Sequence, residues 1–256
     1  MLAARQSEWS KVPEVTLVFW IIKIAATTLG ETAGDAVTMS MNLGYLIGTT
    51  IFASIFVIAV IAQVRATKFH PLLFWAVIVA TTTAGTTLAD FFDRSLGIGY
   101  VGGSTILFGL LIGCLWLWHR QLGSVSINNL TTPKAEIFYW ATVMFSQTLG
   151  TALGDWVADA QSGLGLGYEG GAIVFAVGLA IVAALYFWST ISHTVLFWAA
   201  FILSRPLGAT VGDFLDKPVA KGGLALSRYS ASAALAAFML GCILLFRQRA
   251  ERARVD

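Results

Sequence analysis

Four acidic residues recur at a constant distance from a repeated tryptophan, and carboxylates arranged in this way are suited to binding cations or moving protons. In each of four segments an aromatic-Trp pair is followed, fifteen residues after the Trp, by an Asp. These residues are Asp35, Asp90, Asp155 and Asp213. Carboxylate oxygens are the ligands that hard cations such as Mg²⁺, Ca²⁺ and Mn²⁺ prefer. The spacing therefore predicts an acidic cation or proton site, with all four residues as ligands or relay groups.

Each Asp belongs to a longer polar stripe. Residues at offsets of 7, 11, 15 and 18 from the Trp share one face of a helix. Besides the four Asp residues this face carries Thr27, Glu31, Thr38, Thr82, Thr86, Asp93, Gln147, Thr151, Arg205 and Asp216, with Asp159 one position beyond it. A charged side chain at the centre of a lipid-facing helix costs at least about 2.5–3.5 kcal/mol. We therefore expect the four stripes to face one another, with Glu31 as a fifth metal-binding carboxylate.

Arg205 and Glu31 are the ionisable residues that the stripe places nearest the middle of the membrane. A buried guanidinium requires a carboxylate partner, and Glu31 is the first candidate. Pro206 is expected to kink the same helix. A structural ion pair and a gating or substrate-binding pair both fit this pattern. Lys23 lies only three residues after its Trp, so we expect its amine to extend to the membrane interface.

The elements that carry these residues are long apolar segments. The chain of 256 residues is 57% apolar and 12% charged, and its mean hydropathy of +0.77 excludes an ordinary soluble domain. A bilayer core is crossed by about 20 apolar residues. Eight runs approach that length, near residues 14–37, 42–64, 70–92, 99–118, 135–158, 166–190, 192–214 and 227–246. The predicted fold is a single all-α membrane domain over residues 1–256 with eight transmembrane helices.

These segments form a fourfold internal repeat. The aromatic-Trp pairs are Phe19-Trp20, Phe74-Trp75, Tyr139-Trp140 and Phe197-Trp198. Ten residues after each Trp stands a Gly, and a second small residue follows four positions later, a spacing that brings transmembrane helices close together. The repeats cover about residues 14–65, 70–120, 134–190 and 192–247 and run parallel, because each contains two spans. A division into halves at 1–125 and 126–256 is possible. We expect the tryptophans to anchor the membrane interface.

With these four in-register copies the chain resembles a family of bacterial membrane proteins built from four tandem two-helix repeats, each with a characteristic tryptophan. That family is catalogued as a repeat of unknown function. The resemblance covers nearly the whole chain, and it implies the architecture and a bacterial cytoplasmic (inner) membrane location. It implies no activity, so the residues must supply the functional prediction.

The distribution of basic residues predicts the orientation. An even number of spans places both termini on one side of the membrane, and that side collects Arg5, Lys11, Arg65, Lys68, Arg120, Lys134, Arg247, Arg249, Arg252 and Arg254. The other side has Arg94, Lys217, Lys221 and Arg228. By the positive-inside rule both termini face the cytoplasm. The net charge of +2 reflects this asymmetry and does not favour nucleic-acid binding.

The favoured function is secondary transport or export of a hard divalent cation, with proton coupling as an option. A cation channel, a transporter of small organic solutes and a non-transport scaffold or sensor remain alternatives. An enzyme is not expected, because no nucleophile-base pair is visible and no catalytic residue is assigned. No cofactor is predicted beyond a bound divalent cation, and the partners are the bilayer and the transported ion or solute. The sequence does not indicate the oligomeric state.

Overall fold

The computed structural model describes residues 9–252 and contains eight long α-helices. These are α1 (Leu17–Asp35), α2 (Gly44–Arg65), α3 (Pro71–Asp90), α4 (Tyr100–Leu122), α5 (Pro133–Ala158), α6 (Gly167–Trp188), α7 (His193–Asp216) and α8 (Arg228–Leu245). In the first two repeats the inner helix continues past its Asp as a π-helical turn, over Ala36–Ser40 after α1 and Phe91–Ser95 after α3. The predicted all-α architecture with two helices per repeat is confirmed.

Seven of these helices are long and apolar enough to span a membrane, and α5 is the exception in composition. It has 26 residues, more than any of the others, but its length includes Lys134, Glu136, Gln147 and Asp155. α5 packs between α3 and α7, and both of these helices are long and apolar enough to span a membrane. Its low hydropathy therefore reflects a polar face turned toward other helices, and α5 is the eighth span.

The helices form two concentric layers. The odd-numbered helices make a closed inner ring in the order α1, α3, α5, α7, with α7 returning to α1. Each even-numbered helix packs outside against the odd-numbered helix that follows it, and α8 packs against α1. About two thirds of the residues in the apolar 18-residue stretches of α1, α3 and α7 are buried. In the corresponding stretches of the outer helices at most 22% of the residues are buried. The outer layer therefore presents apolar side chains to the lipid.

Glycines at the inner interfaces explain why the ring closes. The Gly ten residues after each Trp packs against the stripe residue at offset 7 of the next repeat, in cyclic order. A Cβ on Gly85 would lie 3.0 Å from the backbone of Gln147, and one on Gly208 would lie 2.9 Å from the carbonyl carbon of Thr27. A backbone atom cannot move aside as a side chain can, so both positions require glycine. The predicted packing role of the small-residue pairs is confirmed.

The repeated aromatic pairs form a second closed circle, which we call the aromatic collar. The aromatic residue before each Trp contacts the Trp of the next repeat, at centroid distances of 5.4, 5.7, 6.0 and 5.9 Å. The four contacts are Phe19 with Trp75, Phe74 with Trp140, Tyr139 with Trp198 and Phe197 with Trp20. Trp75, Trp140 and Trp198 are buried. The prediction that the tryptophans anchor the membrane interface is wrong for these three, because tilted ring contacts hold them inside the helix ring, whereas Trp20 is partly exposed.

Both described ends of the chain lie on one side of the molecule, here called the terminal face. Strand β1 (Trp9–Pro13) pairs antiparallel with β2 (Ala250–Arg252). The amine of Lys11 lies 2.7 Å from a carboxylate oxygen of Glu136 and donates to the carbonyl of Ala66 at the end of α2. Arg5 and Arg254, which contribute to the charge argument, lie outside the described residues. The placement of this face in the cytoplasm stays a prediction.

Candidate cation site on the ring axis

The inward stripes place polar residues at successive levels along the ring axis. The first polar layer, at offset 7, comprises Thr27, Thr82, Gln147 and Arg205. The second polar layer, at offset 11, comprises Glu31, Thr86, Thr151 and Ala209. The aspartate layer, at offset 15, comprises Asp35, Asp90, Asp155 and Asp213. None of these twelve side chains is more than 6% exposed, so the predicted inward convergence of the stripes is confirmed.

Arg205 lies at the centre of this interior and contacts all three other inner helices. Its Nη2 lies 2.8 Å from Glu31 Oε2, 2.5 Å from Thr86 Oγ1 and 2.6 Å from Thr151 Oγ1. Its Nη1 donates to the carbonyl of Thr27 at 3.4 Å. The predicted pairing of Arg205 with Glu31 is confirmed, and α7 continues as one helix through Pro206.

Two cations pair with the aspartate layer. The sequence had indicated for them only the side of the membrane on which they lie. Lys217 bridges Asp35 and Asp213. Arg94 bridges Asp90, at 2.8 Å, and Asp155, at 3.1 Å. Each cation follows the Asp of its own helix by four residues and reaches the Asp of a neighbouring inner helix. That spacing, which places two side chains on one helix face, was the available signal for both.

The residues at offset 18 and beyond are farther from this centre. Asp216 pairs with Arg228 at 3.1 Å, and the Arg228 Nε lies 3.8 Å from Asp35. Asp93 is buried against Gly103, and neither of its carboxylate oxygens has a hydrogen-bond partner among residues 9–252. The Thr38 hydroxyl donates to the Gly34 carbonyl of its own helix.

Asp159 lies outside the ring, in the loop after α5. Its Oδ1 accepts hydrogen bonds from the backbone N–H groups of Gln161, at 2.8 Å, and Ser162, at 2.7 Å. The Ser162 N–H is the largest cause of the lowered pKa of the Asp159 carboxyl group. In this structure Asp159 therefore fixes a loop and does not join the aspartate layer.

Three of the five predicted metal ligands come together. Glu31, Asp35 and Asp213, here called the carboxylate triad, each offer an oxygen within 4.8 Å of the others. Glu31 approaches α7 closely because residue 212 is glycine, where a Cβ would lie 2.7 Å from the Glu31 Cβ. Oδ1 of Asp35 has no hydrogen-bond partner among the described residues. The other two predicted ligands, Asp90 and Asp155, are bound by Arg94 instead.

Negative charge exceeds positive charge at this level. The second polar layer and the aspartate layer contain five carboxylates, and Arg94, Arg205 and Lys217 pair with them. Arg228 lies 3.8 Å from Asp35 but is assigned to its nearer partner Asp216, at 3.1 Å. The excess of two negative charges equals the charge of one divalent cation or of two protons. Carboxylate and threonine oxygens also match the ligand preference of hard cations.

On the terminal side the axis is closed by a layer at offset 3, here called the closing layer: Lys23, Ile78, Val143 and Phe201. All four side chains have no exposed surface. The Lys23 amine donates to Ser204 Oγ at 3.2 Å and lies 4.2 Å from the centre of the Phe201 ring. The prediction that Lys23 reaches the interface is wrong, because Lys23 precedes Thr27 by four residues and shares its inward face.

The family model described as a Repeat of Unknown Function (DUF347) matches residues 18–69, 73–123, 138–192 and 196–252. The chain belongs to this repeat family. No curated protein and no solved structure matches it. The four matched copies coincide with the four helix pairs of the ring, so DUF347 is here a membrane-spanning helical repeat.

Proposed function

We propose that this DUF347 protein is a secondary carrier that exchanges one hard divalent cation for two protons at the carboxylate triad. The observation that carries the proposal is the convergence of Glu31, Asp35 and Asp213 within 4.8 Å in the buried interior. The free Oδ1 of Asp35 supplies an acceptor that is not used by the protein. A buried acceptor without a partner is unfavourable, and a proton or metal ion would satisfy it.

In this proposal Lys217 acts as an internal counter-ion. Its ammonium group lies between Asp35 and Asp213, where a cation bound by the triad would also lie. A divalent cation must therefore displace Lys217 toward the face opposite the termini. The ammonium group returns when the cation leaves, which keeps the empty site neutralised and prevents the carboxylates from repelling one another.

The ion pairs of the aspartate layer link cation binding to the opening of the site toward the face opposite the termini. Lys217 joins α7 to α1, and Arg94 joins α3 to α5. Access from the face opposite the termini requires these inter-helical pairs to separate. Because protons or a cation at the triad neutralise Asp35 and Asp213, loading the site weakens the Lys217 ion pairs that join α7 to α1.

A carrier is favoured over an open channel because the terminal side is sealed. The closing layer and the aromatic collar lie in succession on that side, and their side chains pack against one another. A permeating ion would have to pass between closely packed aromatic rings whose single oxygen is the hydroxyl of Tyr139. Access to the terminal side therefore requires a rearrangement of the inner helices, which is typical of alternating access.

The test is cation flux in proteoliposomes containing the purified full chain. Uptake of Mn²⁺, Mg²⁺ and Ca²⁺ is followed together with internal pH, under an imposed proton gradient. We expect uptake of at least one divalent cation with two protons released per ion, and no uptake of K⁺. Glu31→Gln, Asp35→Asn and Asp213→Asn should each reduce the rate by at least about tenfold, because each removes a charged ligand.

The matched control is Glu169→Gln. Glu169 is an exposed carboxylate at the start of α6, on the same side of the membrane as the aspartate layer but outside the ring. Its substitution should leave the flux unchanged. Undiminished flux in Asp35→Asn and Asp213→Asn, with both variants folded, would disprove the proposed site.

A further inference from the structure

A buried cation without an acidic partner lies between the aromatic collar and Arg205. The Lys23 side chain is fully buried, and its amine donates only to the neutral Ser204 hydroxyl among the hydrogen bonds of residues 9–252. No carboxylate of the described residues lies within 4.0 Å of it. The nearby ring of Phe201 offers a weak attraction at 4.2 Å. An unpaired buried ammonium group is strongly unfavourable.

The adjacent first polar layer contains side chains without hydrogen-bond partners. Within residues 9–252 these are the amide nitrogen and oxygen of Gln147, the hydroxyl of Thr82 and the Nε of Arg205. All three side chains are fully buried. A buried polar atom left unpaired costs about 1–3 kcal/mol. Their occurrence at one level of the ring indicates that a bound ligand, separate from the protein chain, supplies the missing hydrogen-bond partners.

The donor chemistry identifies the ligand as an anion. Lys23 and Arg205 Nε can only donate, and the Gln147 amide and Thr82 hydroxyl can donate as well. Water would satisfy these donors only around a neutral Lys23 amine, because it cannot compensate the charge of a buried ammonium group. Arg205 Nη2 is already bound to Glu31, so that carboxylate neutralises Arg205 and not Lys23. An anion would complete the donors and the charge together, whereas the amide oxygen of Gln147 is an acceptor and requires a separate donor.

The surroundings favour a small monovalent anion. The other side chains of the closing layer are Ile78, Val143 and Phe201. They offer no hydrogen-bond donor or acceptor to a ligand beside Lys23. A sulfate or doubly charged phosphate ion would bring two negative charges, whereas Lys23 supplies one positive charge without an acidic partner. A halide needs only a few donors and tolerates apolar neighbours.

We propose that Lys23, Thr82, Gln147 and the Nε of Arg205 bind one halide-class anion, such as chloride, inside the helix ring. The site lies on the terminal side of Arg205, whereas the carboxylate triad lies on the other side. The guanidinium group thus separates an anion site from a cation site. The anion site does not depend on the transport of divalent cations.

The test is equilibrium binding of radiolabelled chloride to the purified full chain in chloride-free gluconate buffer. We expect saturable binding of one chloride per chain, competed by bromide and not by gluconate. Lys23→Met should weaken binding by at least about tenfold, since a charge-assisted hydrogen bond is lost. Gln147→Leu should weaken it several-fold. Lys134→Met, at an exposed lysine near the terminal face, is the matched control and should bind as the parent does.

Two results would overturn the proposal: absence of saturable chloride binding in the parent protein, or unchanged affinity in Lys23→Met. If Lys23→Met does not fold, unchanged affinity in Gln147→Leu has the same meaning. Divalent-cation flux is measured separately on the same preparations. Chloride binding without flux would overturn only the carrier proposal, and flux without chloride binding would overturn only the anion site.

Discussion

The pairing of Glu31 with Arg205 predicts a large and measurable coupling energy. The two groups are 2.8 Å apart, and their side chains are 3% and 0% exposed, so solvent and salt do not screen the interaction. Removing either partner leaves the other charge buried and unpaired, which costs about 3–5 kcal/mol. We therefore expect Glu31→Gln and Arg205→Gln each to lower the free energy of unfolding by that amount. Arg205→Gln should have the larger effect, because it also removes the hydrogen bonds to Thr86 and Thr151.

The double variant should be much less destabilised than the sum of the single variants. It contains no unpaired charge at this position, and coupling energies between contacting residues reach about 3 kcal/mol. The assay is reversible unfolding in detergent micelles, followed by circular dichroism, for the parent and the three variants. The comparison cycle uses Lys11 and Glu136, an ion pair of 2.7 Å near the terminal face whose lysine is 15% exposed. Its coupling should be smaller, because the Lys11 side chain is partly exposed to water at the terminal face.

Additive destabilisation in the Glu31 and Arg205 cycle would refute the reasoning. It would mean that the two side chains do not interact in the folded protein in membrane-like surroundings. A coupling no larger than that of the comparison pair would refute the argument from burial, because the two pairs differ mainly in exposure.

Two further predictions concern the ring interface and a loop. Gly208→Ala should destabilise the fold by about 1–3 kcal/mol, because its Cβ would press α7 against the backbone of Thr27, whereas Gly109→Ala faces open space and should be neutral or stabilising. Equal stability of these two variants in thermal unfolding would contradict the packing. Asp159→Asn should lower stability at neutral pH, because the folded-state pKa of Asp159 is lowered and its contribution is present above the ordinary aspartate pKa of about 4. The difference from the parent should vanish as pH falls below that value, and a difference that grows in acid would count against the capping role.

The sequence predicted the features that depend on regular spacing. Helix periodicity places the residues at offsets 7, 11 and 15 on one face, and the high cost of charge in lipid turns that face inward. This was enough to predict the inward stripes and the pairing of Glu31 with Arg205. The cyclic order of the ring was not predicted, because tandem repeats with short loops are compatible with more than one arrangement.

Several residues were expected at the membrane surface because of their residue type or their position at a helix end, but in the structure they lie inside the ring. Arg94 and Lys217 follow the last predicted apolar residues and were therefore treated as charges at the membrane surface. The π-helical turn after α3 continues the chain in helical form, so Arg94 reaches back to Asp90 and across to Asp155. Lys23 and the tryptophans were assigned to the interface by residue type. Their spacing relative to the stripe would have placed Lys23 inside.

The closed ring also bears on the origin of the chain. Four separate copies of one two-helix unit could assemble with the same cyclic contacts, because the main helix contacts of each copy are with its two neighbours in the ring. Such a symmetric assembly would carry four identical residues at every level of its axis. Four arginines at offset 7, or four glutamates at offset 11, would repel one another, so a neutralising pair such as Arg205 with Glu31 is incompatible with exact symmetry. Joining the copies into one chain allows opposite charges to occupy equivalent positions, and the antiparallel pairing of β1 with β2 holds the first and last described segments together.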